Sequence, residues 1–271
     1  VILYRQQLFY NKRSYNVKKI LIALAGLAFI ASVQAQQFTR VETTSIQTIV
    51  HNYLINHPEI LVQMSKKLQQ KQYEQMQTRA IDVIKANGQA IFSPNHTQAA
   101  GNPNGKVTLV EFFDYQCVHC YNLHKQGVMA HLIEDNSNLR VIYKEFPIFG
   151  DASIYASKAA MAAGAQGKYL QMRDAIFALG EIEGKLKAAD IDKAAEKVDL
   201  NMDKYHAFIK SDAGKKVIDA DYKLAQTLGI QGTPSFIVAP TSKTGNSAGK
   251  VSFIPGLVSP ENLQEAIDAA K

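Results

Sequence analysis

The sequence predicts an α/β fold: a central sheet with helices on both faces, interrupted by an all-helical insertion and preceded by a helical extension. Three observations carry this. Two apolar runs rich in β-formers, "VTLVEFF" (107–113) and "LRVIYKEF" (139–146), flank a helical stretch from Gln116 to about Glu134, the pattern of a parallel β-α-β unit. From Asp151 to about Leu228 the spacing is helical throughout, an insertion of roughly 75 residues, enough for a small subdomain. Then "TPSFIVA" and "KVSFIPG", joined by the Gly/Ser/Thr/Lys loop 240–249, read as an antiparallel hairpin. The chain closes on a helix, with Ser259 as N-cap, Pro260 in its first turn and Glu261 near the positive end of its dipole.

The chain of 271 residues has room for one sizeable domain with appendages, and 46% hydrophobic with 20% charged residues is ordinary for a soluble protein. The formal charge of +6 is unevenly placed. Arg5, Lys12, Arg13, Lys18 and Lys19 precede residue 36 with no acid among them, leaving 25 cations against 24 acids beyond. The body has no basic field, which argues against nucleic acid as a partner.

The early cations lead into "ILIALAGLAFIASVQA". Lys18-Lys19, an apolar run to about Val33, and Val33-Gln34-Ala35 read as a secretory signal over 1–35, cleaved after Ala35. The run is shorter than the ~20 residues of a spanning helix, so cleavage is favoured over anchorage. No cysteine at the junction offers a lipid attachment point. Val17, read as an initiator, is the expected start, with 1–16 lying upstream.

Residues 36–92 form the expected N-terminal helical segment. Ile46, Ile49, Val50, Tyr53 and Leu54 fall on one helical face. His57-Pro58 breaks that helix and Pro58 opens the next. The second helix carries a thin stripe of Leu61, Met64, Leu68, Met76, Ala80 and Ile84. Such a pair buries little alone. It either packs on the body or pairs with a second copy of the chain, which would give a homodimer. The turn-rich stretch "SPNHTQAAGNPNGK" then marks the boundary to the main domain, 93–271, with the insertion at about 151–228.

The chemistry centres on "EFFDYQCVHCYNLH" (111–124), which holds both cysteines, Cys117 and Cys120. A structural zinc site wants four ligands, and one short helix with two cysteines and nearby histidines rarely surrounds an ion. Haem attachment needs His after the second Cys, where Tyr121 stands. Inert buried cysteines fit poorly with the position, where a strand ends and a helix begins. A helix N-terminus presents unpaired N–H groups and about half a positive charge, which favour a thiolate. Cys117 opens the helix and is the expected nucleophile and the more exposed sulfur; Cys120, one turn on, is the resolving thiol. His119, between them, stabilises the thiolate as a cation or is a plain surface histidine.

The segment "VEFFDYQCVHC", the helical insertion, and "GIQGTPSF" beyond it resemble the thiol:disulfide oxidoreductases of the DsbA family, over about residues 100–271. The resemblance implies a thioredoxin fold with an inserted helical domain and a redox-active disulfide Cys117–Cys120. It implies that Pro234 is a cis-proline facing the pair, with Thr233 offering its backbone to a substrate strand. Glu111, six residues before Cys117, matches an acid that lies beneath the buried cysteine and relays its proton. A strand-edge Glu facing solvent is the alternative. Lys144 is expected near this acid. Val118-His119 stands where the best-known oxidants of the family have Pro-His, and Thr233 precedes the proline as in the isomerases DsbC and DsbG, dimers through an N-terminal domain. The implied protein is periplasmic and introduces or isomerises disulfides in unfolded or misoxidised exported proteins. A membrane partner resets the cysteines, and no metal or organic cofactor is needed. The competing reading is a dimeric periplasmic chaperone or binding protein with secondary redox activity.

Overall fold

The computed structural model describes residues 38–92, 99–241 and 250–271. The expected signal segment 1–35 and most of the loop 240–249 lie outside the described residues. The described residues divide into two units, with the boundary between residues 69 and 70.

In the first unit, α1 (Arg40–Asn56) starts at a capping box. The Thr39 hydroxyl accepts from the Glu42 N–H at 3.3 Å, and the Glu42 carboxylate accepts from the Thr39 N–H at 2.8 Å. Helix α2 (Glu59–Ala86) begins just past Pro58. No residue of α1 is buried. Ile49 (67% exposed) and Tyr53 (55%) on α1, with Leu61 (62%) and Met64 (61%) on α2, present apolar surface.

The second unit takes in α2 from Gln70 onward. There Met76, Ala80 and Ile84 pack into the core with Ile91 and Phe92 of α3 (Gly88–Phe92). The stripe expected to run along one helix thus splits: its last three members join the body's core, and Leu61, Met64 and Leu68 are exposed.

Among the described residues five strands form one sheet: β1 (Ala99–Gly101), β2 (Val107–Phe113), β3 (Leu139–Glu145), β4 (Ser235–Pro240) and β5 (Ser252–Pro255). Their order is β1-β3-β2-β4-β5. Only β2 and β3 are parallel, as the β-α-β reading requires, and β4–β5 is the expected antiparallel hairpin. Successive side chains alternate across the sheet. Leu109, Phe113, Val141, Tyr143 and Phe236 fill the core on one face, while Val110, Phe112, Ile142 and Ile237 fill the other. Glu111 is paired with Tyr143 and Phe236, so it belongs to the first face.

Two elements differ from the sequence reading. The single helix expected from Gln116 to Glu134 is two, α4 (Val118–Lys125) and α5 (Val128–Asp135). Gly127 turns the chain between them at φ 66°, a backbone region costly for any residue with a Cβ. Strand β1 lies in the stretch read as loop. At three residues, antiparallel to the edge of β3, it is too short to show a period.

The insertion comprises α6 (Asp151–Gly164), α7 (Tyr169–Ala178), α8 (Ala188–Lys197), α9 (Met202–Lys210) and α10 (Ala213–Leu228). Helix α6 buries Ala156, Ala159, Ala160, Ala162 and Ala163, small side chains that let its neighbours approach closely. The closing helix α11 (Pro260–Ala269) is capped by Ser259, whose hydroxyl accepts from the Asn262 N–H at 3.3 Å. No described helix is long and apolar enough to cross a membrane.

Candidate active site

Strand β2 delivers the chain to a three-residue turn, Asp114–Gln116, and Cys117 then caps α4 with extended backbone (φ −72°, ψ 120°). The turn is held from outside. Asp114 Oδ1 accepts from the Gln116 N–H and from Ser153 Oγ, each at 2.7 Å, and Oδ2 accepts from the Phe149 N–H at 3.0 Å. The Gln116 amide donates to Ser153 Oγ at 2.9 Å, and its oxygen accepts from the Leu186 N–H at 3.2 Å. Asp114 and Gln116 are buried, so these bonds replace lost water and fix the turn. The sequence reading passed over both. An acid and an amide directly before the motif in an apolar context were the available signal.

Cys117 and Cys120 are both free thiols, 3% and 1% exposed. The expected contrast in exposure is therefore small, and the contrast lies in proton affinity. Cys117 is held down to about 5, chiefly by a hydrogen bond from the Cys120 side chain. Burial opposes this, and the nearby Thr233 side chain with the Cys120 and His119 N–H groups adds to it. Cys120 is pushed well above the ordinary thiol value by burial first, then by its bond to Cys117 and the nearby Glu111 charge. His119 is exposed, and its N–H is what reaches Cys117.

Thr233 and Pro234 stand directly ahead of β4, and the peptide bond between them is cis. Cys117 Sγ lies 3.2 Å from the Thr233 carbonyl oxygen. Among the described residues the buried Thr233 hydroxyl makes no hydrogen bond.

Glu111 is 1% exposed and faces the core beneath the cysteine helix. Burial raises its proton affinity, Arg173 lowers it and Cys117 raises it further. Lys144 is not its partner. In the parallel register Lys144 pairs with Phe112, not Glu111, so its side chain points to the opposite face. There Lys144 Nζ meets Asp221 Oδ1 at 3.1 Å and donates to the Ala90 carbonyl. The cation beside Glu111 is Arg173 of α7, with Nη2 at 3.3 Å from Glu111 Oε2. The sequence did carry a signal for it. Tyr169, Met172, Ile176 and Phe177 line one helical face, and Arg173 sits in the middle of that apolar stripe.

A second buried acid, Glu145, lies close by. Its Oε1 accepts from Tyr169 Oη at 2.6 Å and from Tyr115 Oη at 3.4 Å, while Oε2 has no partner among the described residues. Burial pushes Glu145 up to about 8. Among the described residues, no three His, Cys, Asp or Glu side chains gather as a metal site.

A mixed sheet of this order, a Cys-X-X-Cys pair at a helix N-terminus and a Thr-Pro step against it define a thioredoxin-fold thiol:disulfide exchange centre with a helical insertion. Residues 108–268, more than half of the chain, match the DSBA-like thioredoxin domain, and the chain belongs to this family of disulfide oxidoreductases. Residues 42–75 match the copper resistance protein ScsC N-terminal domain. Solved structures similar to this chain include the following two. BcfH from Salmonella enterica Typhimurium is 30% identical with a TM-score of 0.70, covering 84% of this chain and 95% of its own. The thiol-disulfide exchange protein α-DsbA2 from Wolbachia pipientis is 25% identical with a TM-score of 0.59, covering 70% and 94%. Among curated proteins, the Na(+)/H(+) antiporter NhaA 1 of Salinispora arenicola is 30% identical over 148 residues, 54% of this chain. The chain spans about a fifth of that relative's length, 22%.

Proposed function

We propose that this protein forms, and when reduced reshuffles, disulfide bonds in unfolded or misoxidised exported proteins. The observation that carries the reading is the asymmetry of the pair: a thiolate held at Cys117 and a protonated, buried thiol at Cys120. In the oxidising direction, a substrate thiolate attacks Cys117 Sγ of the Cys117–Cys120 disulfide. That bond breaks, Cys120 leaves as a thiolate, and Glu111 gives it a proton. A second substrate thiolate attacks the substrate sulfur of the mixed disulfide and releases Cys117 as a thiolate. The substrate has lost two electrons and the enzyme has gained them, so a membrane redox partner must reoxidise the pair. In the isomerising direction, reduced Cys117 attacks a wrong substrate disulfide, and reshuffling within the substrate releases it. Thr233 lines the substrate strand beside Cys117, and the chemistry takes place in the periplasm after removal of residues 1–35.

The exposed apolar faces of α1 and early α2 support association of copies through the N-terminal segment, which would set two or more active sites around one substrate. They also favour a second reading, a chaperone whose cleft holds unfolded chains.

The test uses mature protein, residues 36–271, against a substrate with scrambled disulfides and against its reduced form. Recovery by the pre-reduced protein supports isomerisation. Oxidation of the reduced substrate by the disulfide form alone supports a dedicated oxidase. A Cys117→Ala variant that keeps full suppression of aggregation, with neither redox activity present in wild type, makes the chaperone reading the correct one.

A further inference from the structure

Resting on the reading of Glu111 as the proton relay, we infer that Arg173, supplied by the helical insertion, is a positioning residue that keeps Glu111 able to accept the proton of Cys120. A carboxyl as buried as Glu111 stays neutral unless a cation stands beside it, and a neutral acid cannot act as a base. Arg173 supplies that cation with a charge it does not lose. The pair is 5% and 1% exposed at its side chains, so solvent screens it little.

The guanidinium is fixed by its surroundings. It lies 4.1 Å from the Tyr143 ring centre and 5.0 Å from those of Phe113 and Phe177. Its Nη1 donates to His124 Nδ1 at 3.3 Å and stands 3.9 Å from Asp174 Oδ1. His124 is stacked on Phe177 at 4.6 Å, and burial with the Arg173 charge lowers its proton affinity, so it serves as an acceptor. Tyr115, Tyr169 and Glu145 also lie within electrostatic reach of Arg173. The remaining titratable neighbours of Glu111 are Tyr143 and the two cysteines. Of all these groups Arg173 alone carries a permanent positive charge. Glu111, Arg173, His124 and Asp174 also line a cavity of about 230 Å³. The Asp174 side chain is 63% exposed.

The proton balance is simple. When Cys120 attacks Cys117 Sγ in a mixed disulfide, its S–H proton goes to Glu111, the new S–S bond forms, and the substrate sulfur leaves as a thiolate. The experiment follows release of a cysteine peptide from a preformed mixed disulfide at Cys117 across pH, in wild type, Arg173→Met, Arg173→Lys and Glu111→Gln. Alkylation of Cys117 is followed in parallel. For Arg173→Met we expect the midpoint of the release profile to move upward and the rate at neutral pH to fall at least about tenfold. Arg173→Lys should restore most of the rate, and the alkylation profile of Cys117 should not move. A wild-type midpoint in Arg173→Met, or a uniform loss at every pH, overturns the inference. If Glu111→Gln itself keeps the wild-type profile, the relay reading falls first. If Glu111→Gln flattens the profile and Arg173→Met does not move it, only the role of Arg173 falls. Should Arg173→Met not fold, the infrared difference between wild type and Glu111→Gln reads the carboxyl directly. In a folded Arg173→Gln variant that carboxyl band should titrate at higher pH than in wild type, and an unmoved titration overturns the inference.

Discussion

Replacing Cys120 by Ala should raise the proton affinity of Cys117, because the largest contribution holding that sulfur at about 5 is the hydrogen bond from Cys120. A hydrogen bond to a charged group contributes about 1.5–3 kcal/mol, so its loss should move the Cys117 midpoint to roughly pH 6–7. Cys120→Ser keeps a donor at the same place and should stay near the wild-type value. The size of the effect has a redox meaning. The step from 9.0 to about 5 favours the thiolate by roughly 5 kcal/mol at alkaline pH. Because the folded value is depressed, this stabilisation is complete above the unfolded value, shrinks as pH falls, and is gone below about 5. At pH 7 about half remains, roughly 2.7 kcal/mol, which stabilises the dithiol and makes the disulfide more oxidising by about 60 mV. The assay is the rate of iodoacetamide alkylation of the reduced protein against pH, with the site of labelling read by mass. A wild-type midpoint near 9, or a Cys120→Ala midpoint still near 5, would refute the assignment of the thiolate to this bond.

Further outcomes follow from the same geometry. Glu111→Gln should slow resolution of a Cys117 mixed disulfide by Cys120 about tenfold or more near neutral pH while leaving the attack of reduced Cys117 on a substrate disulfide unchanged, as quenched-flow trapping would show. Glu145→Gln should remove a pH dependence of stability. The folded value of Glu145 is raised, so wild type holds an extra proton when folded and loses about 1.4 kcal/mol per pH unit between the unfolded value and about 8. Denaturation at pH 5 and pH 8 should show that loss in wild type and not in the variant. Ile49→Glu with Tyr53→Glu should lower the mass measured by light scattering if copies associate through α1, at no cost to alkylation of Cys117. An unchanged mass would remove the N-terminal segment from the assembly.

Much of the frame could be read from local pattern. Strands 107–113 and 139–146 lie within one residue of Val107–Phe113 and Leu139–Glu145, and the Ser259 cap and the β4–β5 hairpin stand where turn and cap chemistry put them. These features are encoded by neighbours in sequence. What the pattern did not give depends on contacts made only in the folded chain. Placing Lys144 near Glu111 required the β2–β3 register, and the parity of that register puts the two on opposite faces. Arg173 is sixty-two residues from Glu111 and reaches it only because α7 packs over the sheet. Gly127 was a local signal that the reading missed inside a run of good helix formers.

The turn ahead of Cys117 bears on how such a protein could be rebuilt. Asp114 and Gln116 belong to the strand side of the domain, yet Phe149, Ser153 and Leu186 hold them. The motif is therefore not a portable cassette. A chimera that carried only "CVHC" into another scaffold, or trimmed the helical insertion to shorten the gene, would bring the cysteines without the brace that aims them. Recombination should succeed only where the junctions keep residues 114–116 and 149–186 from the same parent.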